Sequence, residues 1–131
     1  MIKMNEFIRS ELLLGKGSMG KLKEKRVIVF GVGGVGSYVC EALARTGLGS
    51  ITVVDNDTVA ESNINRQIIA LHSTVGMNKV DVVAERIKDI NPMCEVIKKQ
   101  MFYLPENADE INLTEYDYIV DAIDTVPQRL I

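Results

Sequence analysis

The chain has 131 residues and a mass of 14.5 kDa; 47% of the residues are apolar, and 15 Lys and Arg against 18 Asp and Glu give a formal charge of −3. That length suits one domain with a core and not two, and the acidic balance excludes a wholly basic nucleic-acid binder while leaving room for a local basic patch. The longest nearly apolar run, Val27–Gly36, has ten residues and four glycines, too few for the roughly 20 apolar residues of a bilayer span. Cys40 and Cys94 form no CxxC pair, which fits a reducing cytosol. His72 is the single histidine, which excludes a His-rich metal site.

At the amino terminus Glu6 and Glu11 surround only the triplet Leu12–Leu14, so no signal peptide is visible. The pattern predicts a short helix around residues 5–14, a loop broken by Gly15, Gly17 and Gly20, and a lead-in at Lys21–Lys25. Residues 1–25 therefore read as a helical arm and 26–131 as the domain. Val27-Ile28-Val29-Phe30 is continuously apolar, the character of a parallel strand covered on both faces. Ser50–Asp55 and Tyr116–Asp124 repeat it, and Glu95–Gln100 reads as a weaker edge strand.

Between these runs Val35, Val39, Ala42, Leu43 and Thr46 follow helical spacing, with Gly47 at the cap position. Val80, Val83, Ala84, Ile87 and Ile90 do the same before the Asn91-Pro92 breaker. Strands alternating with helices predict an α/β fold of Rossmann-like, doubly wound type, a mostly parallel sheet in the order 3-2-1-4 flanked by helices. Ligands of such sheets bind outside the carboxyl ends of strands where the order reverses. The strand tips at Gly31, Asp55 and Asp124 are expected to surround one crevice.

Gly31-Val32-Gly33-Gly34-Val35-Gly36 contains GxGxxG directly after a strand and opening a helix. Gly31 permits the turn, Gly33 and its neighbour Gly34 let a phosphate approach the backbone, and Gly36 lets helix and strand pack closely. Asp55 follows Gly36 by nineteen residues at a strand end, where a carboxylate binds ribose hydroxyls. This much suits a dehydrogenase as well as an ATP enzyme. Downstream, Ser62 reads as an N-cap for a short helix, Asn63–Ala70, that puts Asn63, Arg66 and Gln67 on one face. A triphosphate needs such cations; a dinucleotide carrier does not. Lys79, in the first turn of the next helix, opposes the helix dipole and is a second phosphate candidate. Asp124 closes the fourth strand as a magnesium ligand, Asp121 reads as structural, and Asp57 reads equally as a metal helper or a turn cap. Cys40 reads as core, Cys94 as an inert residue near a surface turn, and His72 as a loop residue.

The segments GVGGVGSYVCEALARTGLGSITVVDND, SNINRQ, GMNKVDVVAERIKDINP and DYIVDAID together resemble the ThiF/MoeB/HesA group of ubiquitin-activating-type adenylating enzymes. Within it, EALARTG, SNINRQIIALHSTVG and DAIDTV look most like the branch that cyclises threonylcarbamoyladenosine on tRNA. The resemblance implies ATP and Mg2+ as cofactors and activation of a carboxylate as acyl-AMP with release of pyrophosphate. It implies Asp55 on the ribose, Asn63, Arg66 and Lys79 on the phosphates, Asp124 on the magnesium, and Arg9 donated across a homodimer to the neighbouring subunit's ATP. It further implies a cytoplasmic enzyme with a tRNA substrate. The alternatives are an activator of a ubiquitin-like sulfur-carrier protein, an NAD(P)-dependent oxidoreductase and a non-catalytic dimerisation module. Family members continue well past this length, so the chain is expected to be an amino-terminal half whose fourth strand dimerises or swaps to cover its edge. By itself it is expected to bind nucleotide weakly and turn over nothing.

Overall fold

A computed structural model describes residues 5–123. Four parallel strands, β1 (Arg26–Phe30), β2 (Ser50–Val54), β3 (Glu95–Lys99) and β4 (Tyr118–Asp121), form one sheet in the order β3-β2-β1-β4. Four helices accompany them: α1 (Ile8–Leu14), α2 (Lys16–Glu24), α3 (Gly36–Arg45) and α4 (Lys79–Ile90). The expected architecture and strand order are those observed. The fourth strand is shorter than its apolar run, because Tyr116 closes a 3-10 turn on Leu113 and pairing starts only when the Asp117 N–H bonds Arg26 O at 2.8 Å.

Period-two side chains divide the core between the two sheet faces. Val27 and Val29 of β1 and Ile51 and Val53 of β2 meet Cys40 and Ala44 of α3 and Val80, Val83 and Ile87 of α4. Ile28, Phe30 and Val54 point to the other face, covered by Tyr103 and Ile111 from the β3–β4 crossover. That crossover is built of 3-10 turns at Pro105–Glu110 and Leu113–Glu115 rather than a helix. Tyr103 stacks on Phe30 with centroids 4.6 Å apart. Both long helices thus lie on one face with their amino ends toward the strand exits.

The arm departs from the expectation. The glycine-bearing stretch is a second helix, α2, because Met19 and Leu22, one turn apart, insert against the core and outweigh the low helix propensity of Gly17 and Gly20. Gly49 secures its end: a Cβ there would lie 1.8 Å from Lys23 O, so α2 and the approach to β2 touch backbone to backbone. The Phe7 ring lies 3.7 Å from the Cβ position of Gly47, which caps α3 at φ +90°. The arm therefore sits at the entry end of the strands. Cys94 follows the exposed turn at Pro92 and Met93, as expected, and its own side chain is fully buried. Cys40 is buried as expected, and burial pushes its thiol up to about 12.

A polar clamp joins α3 to α4. Glu41 accepts from Arg86 at 2.6 and 3.1 Å and from Arg45 at 2.8 Å. The Arg86 hydrogen bonds hold the Glu41 carboxyl below its ordinary value, against the opposing effect of partial burial, with Arg45 adding to the lowering. A lowered native pKa gives stability that is full above the ordinary value and lost as the carboxylate protonates. In urea unfolding, Glu41→Gln is expected to be less stable than wild type at pH 7, with the gap closing as pH falls below 4.5. A gap constant down to pH 3 would show that the clamp contributes nothing through charge.

Candidate functional site

At the strand exits a crevice of about 370 Å3 opens between the loop after β1, the segment after β2 and the ends of β3 and β4. Its glycines fall into two kinds. Gly31 has φ +88°, and a Cβ on it would meet Ala122 O at 2.7 Å; on Gly36 a Cβ would lie 1.7 Å from Gly31 O. These two shape the turn. Gly33 and Gly34 are different: the nearest atoms to their Cβ positions are Gln67 Nε2 at 3.4 Å and Arg66 Cγ at 3.9 Å. The fold itself makes little demand for glycine at these two positions. Among the described residues the N–H groups of Gly34 and Val35 have no hydrogen-bond acceptor, and they lie at the start of α3, where the helix dipole favours an anion.

Asp55 directly follows β2. One carboxylate oxygen accepts from Val32 N–H at 2.9 Å and the other from Asp57 N–H at 2.8 Å. It fastens the glycine loop to the exit of β2 and caps the turn that was one of the two expected roles of Asp57. The Asp57 carboxylate instead faces Lys79, Oδ2 to Nζ at 3.7 Å. Lys79 is the first residue of α4, and its side chain is 7% exposed while that of Asp57 is 65% exposed. A nearly buried ammonium at a helix amino terminus, with a single loose partner among the described residues, is poorly compensated by them. An anion in the crevice would complete its environment.

Arg66 is exposed on the rim, its Nη1 donating to Ser62 O at 3.1 Å and Asn65 Oδ1 at 2.9 Å. Gln67 is buried, and its Oε1 has no protein partner among the described residues. The expected helix over residues 63–70 is not formed. A 3-10 turn at Glu61–Asn63 runs into successive turns, and Asn63, not Ser62, does the capping: its Oδ1 accepts from Ala60 N–H at 2.8 Å. Arg66 and Gln67 still reach the crevice, whereas Asn63 is spent on its own turn and is not among the lining residues. Asp124 lies outside the described residues; Ala122 and Ile123 bring the β4 exit to the crevice wall. Among the described residues no group of three or more His, Cys, Asp or Glu side chains could hold a metal.

Arg9 is exposed on α1 and does not line the crevice of its own chain. The arm contacts Gly47 and Gly49, before β2, and a strand of five residues separates that end from the crevice, a length of about 16 Å at roughly 3.3 Å per residue. Met101 and Phe102 form a wall that the sequence reading missed. They follow β3, whose exit joins the same edge of the sheet. The rule that ligands sit beyond strand ends would have found them had it been applied to β3 as well.

The ThiF family profile matches residues 7–131. The chain belongs to the ThiF family. It is 50% identical over 127 residues to the tRNA threonylcarbamoyladenosine dehydratase of Bacillus subtilis (strain 168), covering 97% of this chain and 50% of that protein. Identity to the adenylyltransferase and sulfurtransferase MOCS3-2 of Zea mays is 38%, over 83% of this chain and 22% of that one. Among solved structures, the E. coli tRNA N6-threonylcarbamoyladenosine dehydratase in complex with ATP superimposes with a TM-score of 0.87 at 42% identity, covering 94% of this chain and 51% of that one. Its complex with AMP gives 0.91 at 43%, covering 95% and 51%. The chain spans about half the length of these dehydratases.

Two substitutions separate the structural from the functional side chains of this ThiF-family crevice. Gly36→Ala drives a methyl group into Gly31 O and is expected to cost about 2 kcal/mol or more in urea unfolding. Lys79→Met removes a poorly paired cation and leaves only the exposed Asp57 without its partner. It is expected to leave stability unchanged or raise it by about 1–2 kcal/mol. A loss of several kcal/mol on Lys79→Met would make that lysine a fold determinant instead.

Proposed function

We propose that the protein carrying this sequence binds ATP·Mg2+ in the crevice and adenylates a carboxylate. The carboxylate we assign is that of threonylcarbamoyladenosine in tRNA, which then closes to a cyclic product. One observation carries the reading: the nearly buried, under-compensated Lys79 converges with Arg66 on a glycine loop with free N–H groups. A polyphosphate calls for that convergence, and a nicotinamide dinucleotide gives no reason for it. The resemblance to dehydratases, one of them with ATP bound, supports the choice of nucleotide and acceptor.

In this mechanism a carboxylate oxygen attacks the α-phosphorus, the bond to the pyrophosphate oxygen breaks, and an acyl-adenylate forms. An internal nucleophile of the same modified nucleoside then displaces AMP, losing its proton, and the ring closes. Arg66 and Lys79 meet the charge that grows on the departing pyrophosphate, each contact worth about 3 kcal/mol in a site closed from water. Gly33 and Gly34 admit the phosphates, Asp55 turns a free lone pair toward the ribose, and Gln67 offers a carboxamide donor. Asp124, together with phosphate oxygens, would hold Mg2+, which would supply further charge neutralisation there.

Because Arg9 stands at the far end of its own sheet, its contribution comes in trans, from the second copy of a homodimer. The similarity to MOCS3-2 makes a sulfur-carrier protein the alternative acceptor. No helix among the described residues is long and apolar enough to cross a membrane, in keeping with a cytoplasmic enzyme.

With the intact protein, MgATP at one hundred times its Kd is expected to add about 2.7 kcal/mol of stability, read as a thermal shift. Arg66→Ala is expected to remove most of that shift, and pyrophosphate release is expected to require tRNA bearing threonylcarbamoyladenosine. Stabilisation by NADH and not by MgATP would overturn the reading. The trans role of Arg9 is tested by mixing Arg9→Ala with Arg66→Ala: random exchange of subunits restores about a quarter of wild-type activity in hybrid dimers. No recovery on mixing would place Arg9 outside the partner's site.

A further inference from the structure

The charge of this chain is not evenly spread. Residues 16–26 hold Lys16, Lys21, Lys23, Lys25 and Arg26 with Glu24 as their one carboxylate, in a chain whose formal charge is −3. Lys25 faces Asp117 at 3.9 Å, and Arg26 lies over the Tyr116 ring at 5.2 Å. Lys16, Lys21 and Lys23 are exposed and pair with no carboxylate among the described residues.

The glycines of α2 add an independent observation. Gly17 and Gly20 are helical and exposed, and a Cβ on either would meet nothing within 4 Å. A glycine inside an exposed helix costs roughly 1 kcal/mol against alanine, and no contact among the described residues requires either one. Glycine at these positions leaves the backbone bare and open to close approach. At about 100° per residue, with Met19 and Leu22 turned inward, Gly17 and Gly20 fall between Lys16 and Lys23 on one flank and Lys21 on the other. Glu24 stands at the carboxyl end of this strip. The surface is a bare backbone track between two rims of ammonium groups.

We propose that the outer face of α2 is a docking surface for the phosphodiester backbone of RNA, with tRNA as its occupant; this rests on the tRNA-directed reading above. Unpaired lysines flanking a strip that is bare at Gly17 and Gly20 and ends at the Glu24 carboxylate suit a chain of phosphates, which recognises charge and close approach and needs no directional pocket. The patch lies at the strand entries, about 16 Å from the crevice by strand length. A tRNA whose modified loop enters the crevice is large enough to lie across both.

The test uses the intact protein and tRNA bearing threonylcarbamoyladenosine, with binding measured over a series of salt concentrations. In the triple variant Lys16→Ala, Lys21→Ala, Lys23→Ala, tRNA affinity is expected to fall about tenfold or more. The slope of log K against log salt is expected to flatten by about 2, since each phosphate contact contributes roughly 0.7–0.9. The MgATP thermal shift stays as in wild type. A second variant, Gly17→Gln with Gly20→Gln, fills the strip without altering charge. It is expected to keep or raise the melting temperature while weakening tRNA binding and raising KM for tRNA with kcat little changed. Wild-type affinity and salt slope in both variants would overturn the proposal and leave the adenylation reading intact. Loss of an acidic protein partner with tRNA binding unchanged would also overturn it. If wild type shifts with MgATP but binds no tRNA, the tRNA assignment itself fails, and this surface fails with it.

Discussion

A contact that only two missing side chains permit underlies the crevice. The carbonyl of Gly31 lies where a Cβ on Gly36 would have to be, and Gly31 itself stands against Ala122 O at φ +88°. This closeness lets the chain leave β1, turn within six residues and enter α3 with its first N–H groups still free. Asp55 then fastens the loop across to β2 through Val32 N–H. The turn supplies the donors, and the carboxylate fixes their position relative to the neighbouring strand.

Charge is arranged around that frame without being neutralised by it. Lys79 is held nearly out of water at the start of α4, and its single partner among the described residues is a carboxylate 3.7 Å away that remains largely solvated. The Glu41–Arg86 clamp ties α3 to α4 about one and a half to two turns inside their amino ends, so the two helices that aim dipole and ammonium at the crevice are bound to each other as well as to the sheet. The chain is a ThiF-family domain, and its crevice is where the proposed nucleotide would lie.

Much of this was legible in the residues. The apolar run Val27–Phe30 and the β-rich Ser50–Val54 suit strands covered on both faces, and the helical spacing of Val80, Val83, Ala84 and Ile87 serves one buried face. The glycine loop, Asp55, Arg66 and Lys79 were readable because each carries a local constraint of spacing or of helix electrostatics. The segment from Asn63 to Ala70 was misread because Asn63 serves either in a helix or as the cap of a tighter turn, and short-range propensity does not separate the two. The helix at Lys16–Glu24 was misread for the opposite reason. Its glycines argue against it locally, and only the burial of Met19 and Leu22 against distant strands overrides them.

What the sequence determined by itself was the set of chemical types and their order along the chain: a glycine loop, an acid at the end of β2, basic side chains after it, and strands and helices in alternation. Local spacing encodes these, because hydrogen bonding within a turn and the period of a strand or helix reach only a few residues. The tertiary structure alone decided which of those groups meet. It joined Met101 and Phe102 to the crevice, turned Asn63 away from it, buried Lys79 beside Asp57, and left Arg9 at the far end of the sheet. Such meetings depend on packing between segments tens of residues apart, where the area buried across the sheet, and not the preference of any one residue, sets the geometry.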